Sequence, residues 1–298
     1  MAEERRVGRV VAAHGSRFEV ELADGRRLSC VTRGKKTGVA CGDRVEITPT
    51  SAEGGVIERV LPRASLLYRS DPQRQKIIAA NVTQGVLVVA AVPSFHEEII
   101  NRVLVALEAQ QLKCVIVLNK ADLPETAAAE ERLALYRELG YPLVRLSAKT
   151  DVSPLRPYLA REVSVLVGQS GMGKSTLVNA LVPGARAATR EISTALDSGR
   201  HTTTHATLYH LDAESDLIDS PGLQEFGLHH LRPEDVAAAM REFRPLLGHC
   251  RFHNCLHRVE PGCAIREAVE AGRISPRRFA AYQAIVGEIV DWRARRYG

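Results

Sequence analysis

The chain has 298 residues, 45% apolar and 25% charged, values ordinary for a protein with a packed core, and this length predicts two domains or three small ones. The net charge of +5 and pI near 9.0 favour an anionic partner, a nucleic acid or a nucleotide. The charged start MAEERR does not read as a secretory leader, and the longest apolar run, Gly85–Val92, is far short of the roughly 20 residues of a membrane helix, so a soluble cytoplasmic protein without membrane contact is expected.

Short strands broken by glycine turns come first. RVGRVVAA, SRFEVEL, RRLSCVT, DRVEIT and GGVIERVL make five candidates between Val7 and Leu61, and the alternation in RFEVEL marks strands with one buried face. Five such strands predict a small β-barrel of the OB-fold type, here residues 1–64. Arg33, Lys35 and Lys36 crowd one loop, either a solvated turn or a contact for a phosphate backbone. Phe18 is the only aromatic side chain of this segment, so base stacking is not its main mode of binding.

From about Lys76 to Leu231 apolar strands alternate with helices. QGVLVVAAV, KCVIVLN, PLVRLSA and EVSVLVG read as strands, with HEEIINRVLVALEAQQ and ETAAAEERLALYRELG as helices between them. The pattern predicts an α/β domain, residues 65–231, whose mainly parallel sheet is covered on both faces. Its functional loops gather at the carboxyl ends of the strands.

The last of these strands runs into GQSGMGKST, Gly168 to Thr176, ahead of a helix-like STLVNALV. Strand, glycine-rich loop and helix together make a P-loop. Gly168, Gln169, Ser170, Gly171, Met172 and Gly173 wrap the phosphates with backbone N–H groups. Lys174 supplies charge to the β- and γ-phosphates, Ser175 binds Mg²⁺, and Thr176 follows in the helix. Downstream, SDLIDSPGL ends a strand at Asp219, a carboxylate that can hold Mg²⁺ through water, and offers the Gly222 N–H to the γ-phosphate. Between them GRHTTTH holds Thr202, Thr203 and Thr204, any of which completes the Mg²⁺ shell; Thr203 is the central choice.

Upstream, VIVLNKADLP places Asn119, Lys120 and Asp122 at a strand end, with Ser147, Ala148 and Lys149 following in SAK. Guanine presents two adjacent donors, N1–H and the exocyclic amine, which one carboxylate accepts as a pair. Asp122 suits that role, Asn119 ties the loop, and SAK closes on the base. The base reader precedes the phosphate loop, so the order is a rotation of the usual one: a circularly permuted P-loop GTPase domain, which adjacent termini allow.

From Arg232 the strands end. RPEDVAAAMREFRPLL and SPRRFAAYQAIVGEIVDWRARR read as helices, the second opening on Ser275–Pro276. CRFHNCLHRVEPGC lies between them. Cys250, Cys255, His257 and Cys263 make a Cys3His set suited to one structural zinc, with His249 and His253 as competing ligands. Residues 232–298 thus form a mostly helical zinc-binding domain.

The ordered motifs NKAD, SAK, GQSGMGKST, GRHTTTH and DSPG, behind a barrel and ahead of a Cys3His module, resemble the ribosome small-subunit-dependent GTPase A family (RsgA) across essentially the whole chain. The resemblance implies a GTPase that binds GTP and GDP, the small (30S) ribosomal subunit and its rRNA, and acts late in subunit maturation with ribosome-stimulated hydrolysis; nothing in the sequence suggests more than a monomer. Leu223 stands where many GTPases carry a water-orienting glutamine. The resemblance implies His201 as the catalytic replacement; Gln224 is a further candidate, and an exposed loop histidine is the plain alternative. Two other functions fit parts of the pattern. A metabolic phosphotransferase would use the P-loop alone, and an RNA-binding adaptor would hold GTP with little hydrolysis.

Overall fold

The computed structural model describes residues 5–34, 38–70, 75–185, 206–220 and 226–297. Lys35, Lys36, His201, the three threonines Thr202, Thr203 and Thr204, Gly222, Leu223 and Gln224 lie outside the described residues.

The five expected amino-terminal strands form as β1 (Arg6–His14), β2 (Arg17–Leu22), β3 (Arg27–Thr32), β4 (Arg44–Pro49) and β5 (Gly54–Val60). Their order is β1-β2-β3-β5-β4, and β4 pairs back onto β1 to close the barrel, an OB-fold. The alternation places Phe18, Val20 and Leu22 of β2 inside while Arg17, Glu19 and Glu21 face outward. With Val10, Leu28, Cys30, Val45, Ile47 and Ile57 they form a core that belongs to the barrel alone. A hairpin of β6 (Leu66–Ser70) and β7 (Gln75–Ala80) follows, unmarked by any pattern in the sequence.

The central sheet contains β8 (Gln84–Ala90), β9 (Lys113–Asn119), β10 (Leu143–Arg145), β11 (Val163–Val167), β12 (Ala206–His210) and β13 (Asp216–Asp219). The order β10-β9-β8-β11-β13 is parallel throughout, and β12 adds antiparallel beside β13. All seven residues of β8 are buried, because helices cover both faces. These include α1 (Glu97–Ala109), α2 (Thr126–Glu138), α3 (Arg156–Leu159) and α4 (Lys174–Leu181). The sheet does not stop at β12. That strand also pairs with β1, so barrel and α/β domain share one eleven-stranded sheet.

The carboxyl-terminal part carries α5 (Pro233–Ala239), α6 (Ala264–Glu270) and α7 (Pro276–Tyr297). The helix read over residues 232–247 is therefore shorter than its pattern suggested. Pro245 has no N–H to donate and its ring obstructs the preceding turn. The Arg244 guanidinium instead donates to the Ala238 carbonyl at 2.8 Å, closing α5 early, while Met240 and Phe243 turn into the core at 0% exposure. On α7, Tyr282, Ile285, Val286 and Ile289 form the expected buried face.

This part shares its core with the α/β domain. One apolar cluster runs from Val88 and Ile116 of the sheet through Leu104 and Leu107 of α1 to Val236, Phe243, Tyr282 and Ile289. Each fully buried side chain of this kind contributes roughly 1.5–3 kcal/mol. Ion pairs rivet the same seam. Glu108 of α1 takes Arg241 and Arg244, both at 2.6 Å. The Arg278 guanidinium of α7, 1% exposed, pairs with Glu242 at 2.7 Å and donates to Asn101 of α1. Removing one member of such a buried pair costs about 3–5 kcal/mol, since the other charge is stranded.

Candidate nucleotide-binding site and metal centre

Because β8, β9, β11 and β13 run parallel, their carboxyl ends open onto one edge of the sheet. Asn119 closes β9 opposite Ala90 of β8, β11 delivers the glycine loop, and Asp219 closes β13 opposite Leu166 of β11. Thus the NKAD loop, the glycine-rich loop and Asp219 arrive at one place from three strands.

Asn119 binds them together. It is 2% exposed; its side-chain N–H donates to the Met172 carbonyl at 2.9 Å, and its carbonyl accepts the Ala148 N–H at 2.9 Å. One amide thereby joins NKAD, SAK and the phosphate loop. Gly173 explains the closeness of the fit. Its φ is +89°, and a Cβ there would lie 2.4 Å from the Asn119 nitrogen, so neither the backbone nor the space admits a side chain.

Lys120 has φ +62°, which turns its side chain back across the loop, where Nζ donates to the carbonyls of Val92 at 2.6 Å and Gly171 at 2.8 Å. Burial, then the Lys149 charge, pull its pKa down. Asp122 and Lys149 are exposed at the rim. The Ser147 hydroxyl and the backbone N–H of Asp122 hold that carboxyl below the usual range, with Lys149 and Lys120 adding charge, so it presents acceptors only.

In the phosphate loop Gln169 accepts the His96 N–H at 2.8 Å. The β8–α1 loop, through Val92 and His96, therefore buttresses the loop from outside. Sequence reading missed these two because they act through backbone groups, which leave no residue signature. Ser170, Ser175 and Thr176 are exposed, the last two at the amino end of α4, where free N–H groups and the helix dipole favour an anion.

Lys174 is 7% exposed and folds back to donate to the carbonyls of Gly168 and Gln169, both at 2.8 Å. Burial pushes its pKa down to about 8, against the pull of Asp219. Arriving phosphates would raise it again. GTP binding at pH 8 is therefore expected to take up about half a proton, and affinity should fall as pH rises through this value. Calorimetry in two buffers of different ionisation enthalpy checks this; heats independent of the buffer would contradict it.

At the other end, Cys250, Cys255, His257 and Cys263 bring one ligand atom each within 4.8 Å of one another. The Cys250 and Cys263 sulfurs are 3.9 Å apart, far beyond a disulfide of about 2.05 Å. A tetrahedral zinc with Zn–S near 2.3 Å places its sulfurs about 3.8 Å apart. His257 Nδ1 lies 3.4 Å from both sulfurs, whereas neither His249 nor His253 contributes to the cluster. Burial pushes the Cys255 thiol up to about 12, its sulfur neighbours adding to this; a coordinated cation reverses that penalty by favouring thiolate. The donor set fits a zinc site. Glu260 shapes the loop between the ligands, a role the sequence did not announce. Burial works against its charge, yet N–H bonds from Leu256 at 2.9 Å and Arg258 at 2.8 Å help hold its carboxyl at about 2.

Residues 60–229 match the family model described as RsgA GTPase. The chain belongs to the RsgA GTPase family. A Nitrosospira multiformis protein of this family, named small ribosomal subunit biogenesis GTPase RsgA, is 58% identical over 283 residues, covering 95% of this chain and 90% of that protein. A Neisseria meningitidis serogroup C protein of the same name is 54% identical over 280 residues, covering 94% and 91%. Among solved structures, YjeQ from Thermotoga maritima superposes with a TM-score of 0.73 at 35% identity, covering 96% of this chain and 99% of that one. YloQ, described as a circularly permuted GTPase, gives a TM-score of 0.70 at 26% identity and covers 97% and 96%. The order along this chain, NKAD before the glycine-rich loop, is that of a circularly permuted GTPase. No helix among the described residues is long and apolar enough to cross a membrane.

Proposed function

We propose that this chain hydrolyses GTP on the small (30S) ribosomal subunit late in its maturation, coupling ribosome-stimulated hydrolysis to release or to a checkpoint. The observation that carries the reading is the Asn119 amide between Met172 and Ala148, which makes guanine reader and phosphate loop a single rigid pocket. The family relatives, named for small-subunit biogenesis, supply the partner. The barrel and the net charge of +5 favour rRNA as the surface engaged.

In this reading Asp122 takes the paired donors of guanine, Lys120 and Ala148 flank the base, and Lys149 covers its edge. The N–H groups from Gly168 to Gly173, with Lys174, cradle the β- and γ-phosphates. Ser175, Asp219 and Thr203 are the Mg²⁺ ligands, and Ser175 and Asp219 fit that role at facing ends of α4 and β13. A magnesium ion held there with GTP would supply positive charge against the phosphates. Gly222 donates its N–H to the γ-phosphate, and His201 orients the attacking water. Zinc in the Cys3His cluster holds the loop between α5 and α6 and takes no part in chemistry, since four protein ligands leave no open position. The protein acts as a cytoplasmic monomer.

Two measurements test this. GTP turnover is expected to rise by at least about tenfold when purified small subunits are added, a modest effect beside the roughly 10³–10⁵ of trans-supplied activation in other GTPases. Co-sedimentation should be strong with a non-hydrolysable GTP analogue and weak with GDP. Equal turnover with and without subunits, or equal binding in both nucleotide states, would defeat the reading.

A further inference from the structure

A single row of strand pairs crosses from the barrel to the nucleotide edge. Ala12 of β1 faces Thr207 of β12, Thr207 faces Asp219 of β13, and Asp219 faces Leu166 of β11, the strand that feeds the phosphate loop. β12 starts at Ala206, directly after the segment that carries Thr202, Thr203 and Thr204. Whatever fixes β12 therefore fixes both the exit of the threonine segment and the strand that ends in Asp219.

Among the described residues β12 meets β1 through two residue pairs, Ala12 with Thr207 and Ala13 with Ala206, both at the first end of β12. Its last residue, His210, is held by side chains instead. Nδ1 lies 2.6 Å from the Asp216 carboxylate of β13, and Nε2 lies 2.7 Å from the Glu21 carboxylate of β2. Asp216 in turn accepts from Arg9 of β1, and Glu21 accepts from Arg27 of β3 at 3.0 Å. Both ring nitrogens face acceptors with no proton to offer, so both bonds form together only when His210 is an imidazolium. Burial opposes that charge, but the bonds to Asp216 and Glu21 prevail and hold its pKa above the ordinary histidine value.

We propose that His210 and Arg9 are positioning residues for GTP hydrolysis: they latch the barrel to β12 and so hold the threonine exit and Asp219 in the hydrolytic register. The proposal rests on the reading of the site as a GTPase. Coupling of this kind runs both ways, so a partner that grips the barrel would change the rate at the γ-phosphate. The groups that face His210 are Asp216 from β13 and Glu21 from β2, with Arg9 and Arg27 behind them. Since its pKa is raised in the fold, the latch is complete at low pH and weakens as pH rises through that raised value.

The test compares wild type with His210→Ala and Arg9→Ala in single-turnover GTP hydrolysis and in GDP affinity, from about pH 6 to about pH 9. In His210→Ala, Asp216 keeps Arg9 and Glu21 keeps Arg27, so no carboxylate is stranded and the chain should fold. Hydrolysis is expected to fall roughly tenfold in both variants, a usual size for coupling between sites, with GDP affinity within about twofold of wild type. The decline of the wild-type rate attributable to His210 at rising pH should vanish in His210→Ala. Should that variant not fold, His210→Gln, which keeps one donor group, able to face one of the two carboxylates, and no charge, is expected to show an intermediate rate and the same loss of pH dependence. Rates within about twofold of wild type in both variants would overturn the latch and leave the GTPase reading intact. GDP affinity falling by the same factor as the rate would also overturn it, in favour of a general structural role. A wild-type protein that cleaves no GTP would overturn both readings.

Discussion

Asp122→Asn is expected to lower GTP affinity about a hundredfold and to create binding of XTP where the wild type has little. The carboxylate accepts both the N1–H and the exocyclic amine of guanine; an amide accepts one and turns its own donors against the other. Losing one charge-assisted hydrogen bond costs about 1.5–3 kcal/mol, and the opposed donors bring the total to about 3 kcal/mol, or a hundredfold. Xanthine has a carbonyl where guanine has the amine, so the asparagine N–H regains a partner there. The side chain is exposed at the rim, and its removal leaves the Asn119 bonds to Met172 and Ala148 untouched. The pocket should therefore change its preference without collapsing. Titration with fluorescent GTP and XTP decides the matter: an unaltered preference for GTP would mean that Asp122 does not read the base.

Cys255→Ser should act at the opposite end and spare the nucleotide. Structural zinc contributes about 10–16 kcal/mol in isolated peptides, but here part of the cluster is already organised by the shared core. Tyr282 of α7 donates to the Leu256 carbonyl at 2.9 Å, and the His257 ring sits 6.1 Å from that of Tyr282, so the ligand loop rests on a helix that is itself packed against α1. The expected loss is about 3–4 kcal/mol, a fall in Tm of about 10 °C for a chain of this size. Zinc content by a colorimetric chelator should drop from one per chain to near zero, and a chelator should lower the Tm of the wild type by a similar amount. GDP affinity should stay within about twofold. A variant that retains stoichiometric zinc would contradict the ligand set.

The motifs of the candidate site were legible in the sequence because each is carried by residues close together in the chain. GQSGMGKST after an apolar strand encodes its own strand, turn and helix, and NKAD and SAK do the same for the base loop. The five barrel strands were legible for a similar reason, since alternation over six residues states which face is buried. The β6–β7 hairpin was not, because LLYRS and QKIIAA do not alternate cleanly. Nor was the early end of α5, where apolar periodicity continues through Met240 and Phe243 although the backbone turns extended at Met240.

By itself, then, the sequence determined the three-part order, the circular permutation and the motif that each loop carries. Only the tertiary structure decided how those parts are joined. Asn119 and Met172 are 53 positions apart, and Arg9 and Asp216 are 207 apart, yet these pairs fix the nucleotide pocket and the seam with the barrel. Local patterning specifies which face of a strand or helix is apolar. It does not specify which distant edge or face will cover it, and that choice, settled by pairing the free edge of β12 with β1 and by burying α7 on α1, is made only when the whole chain folds.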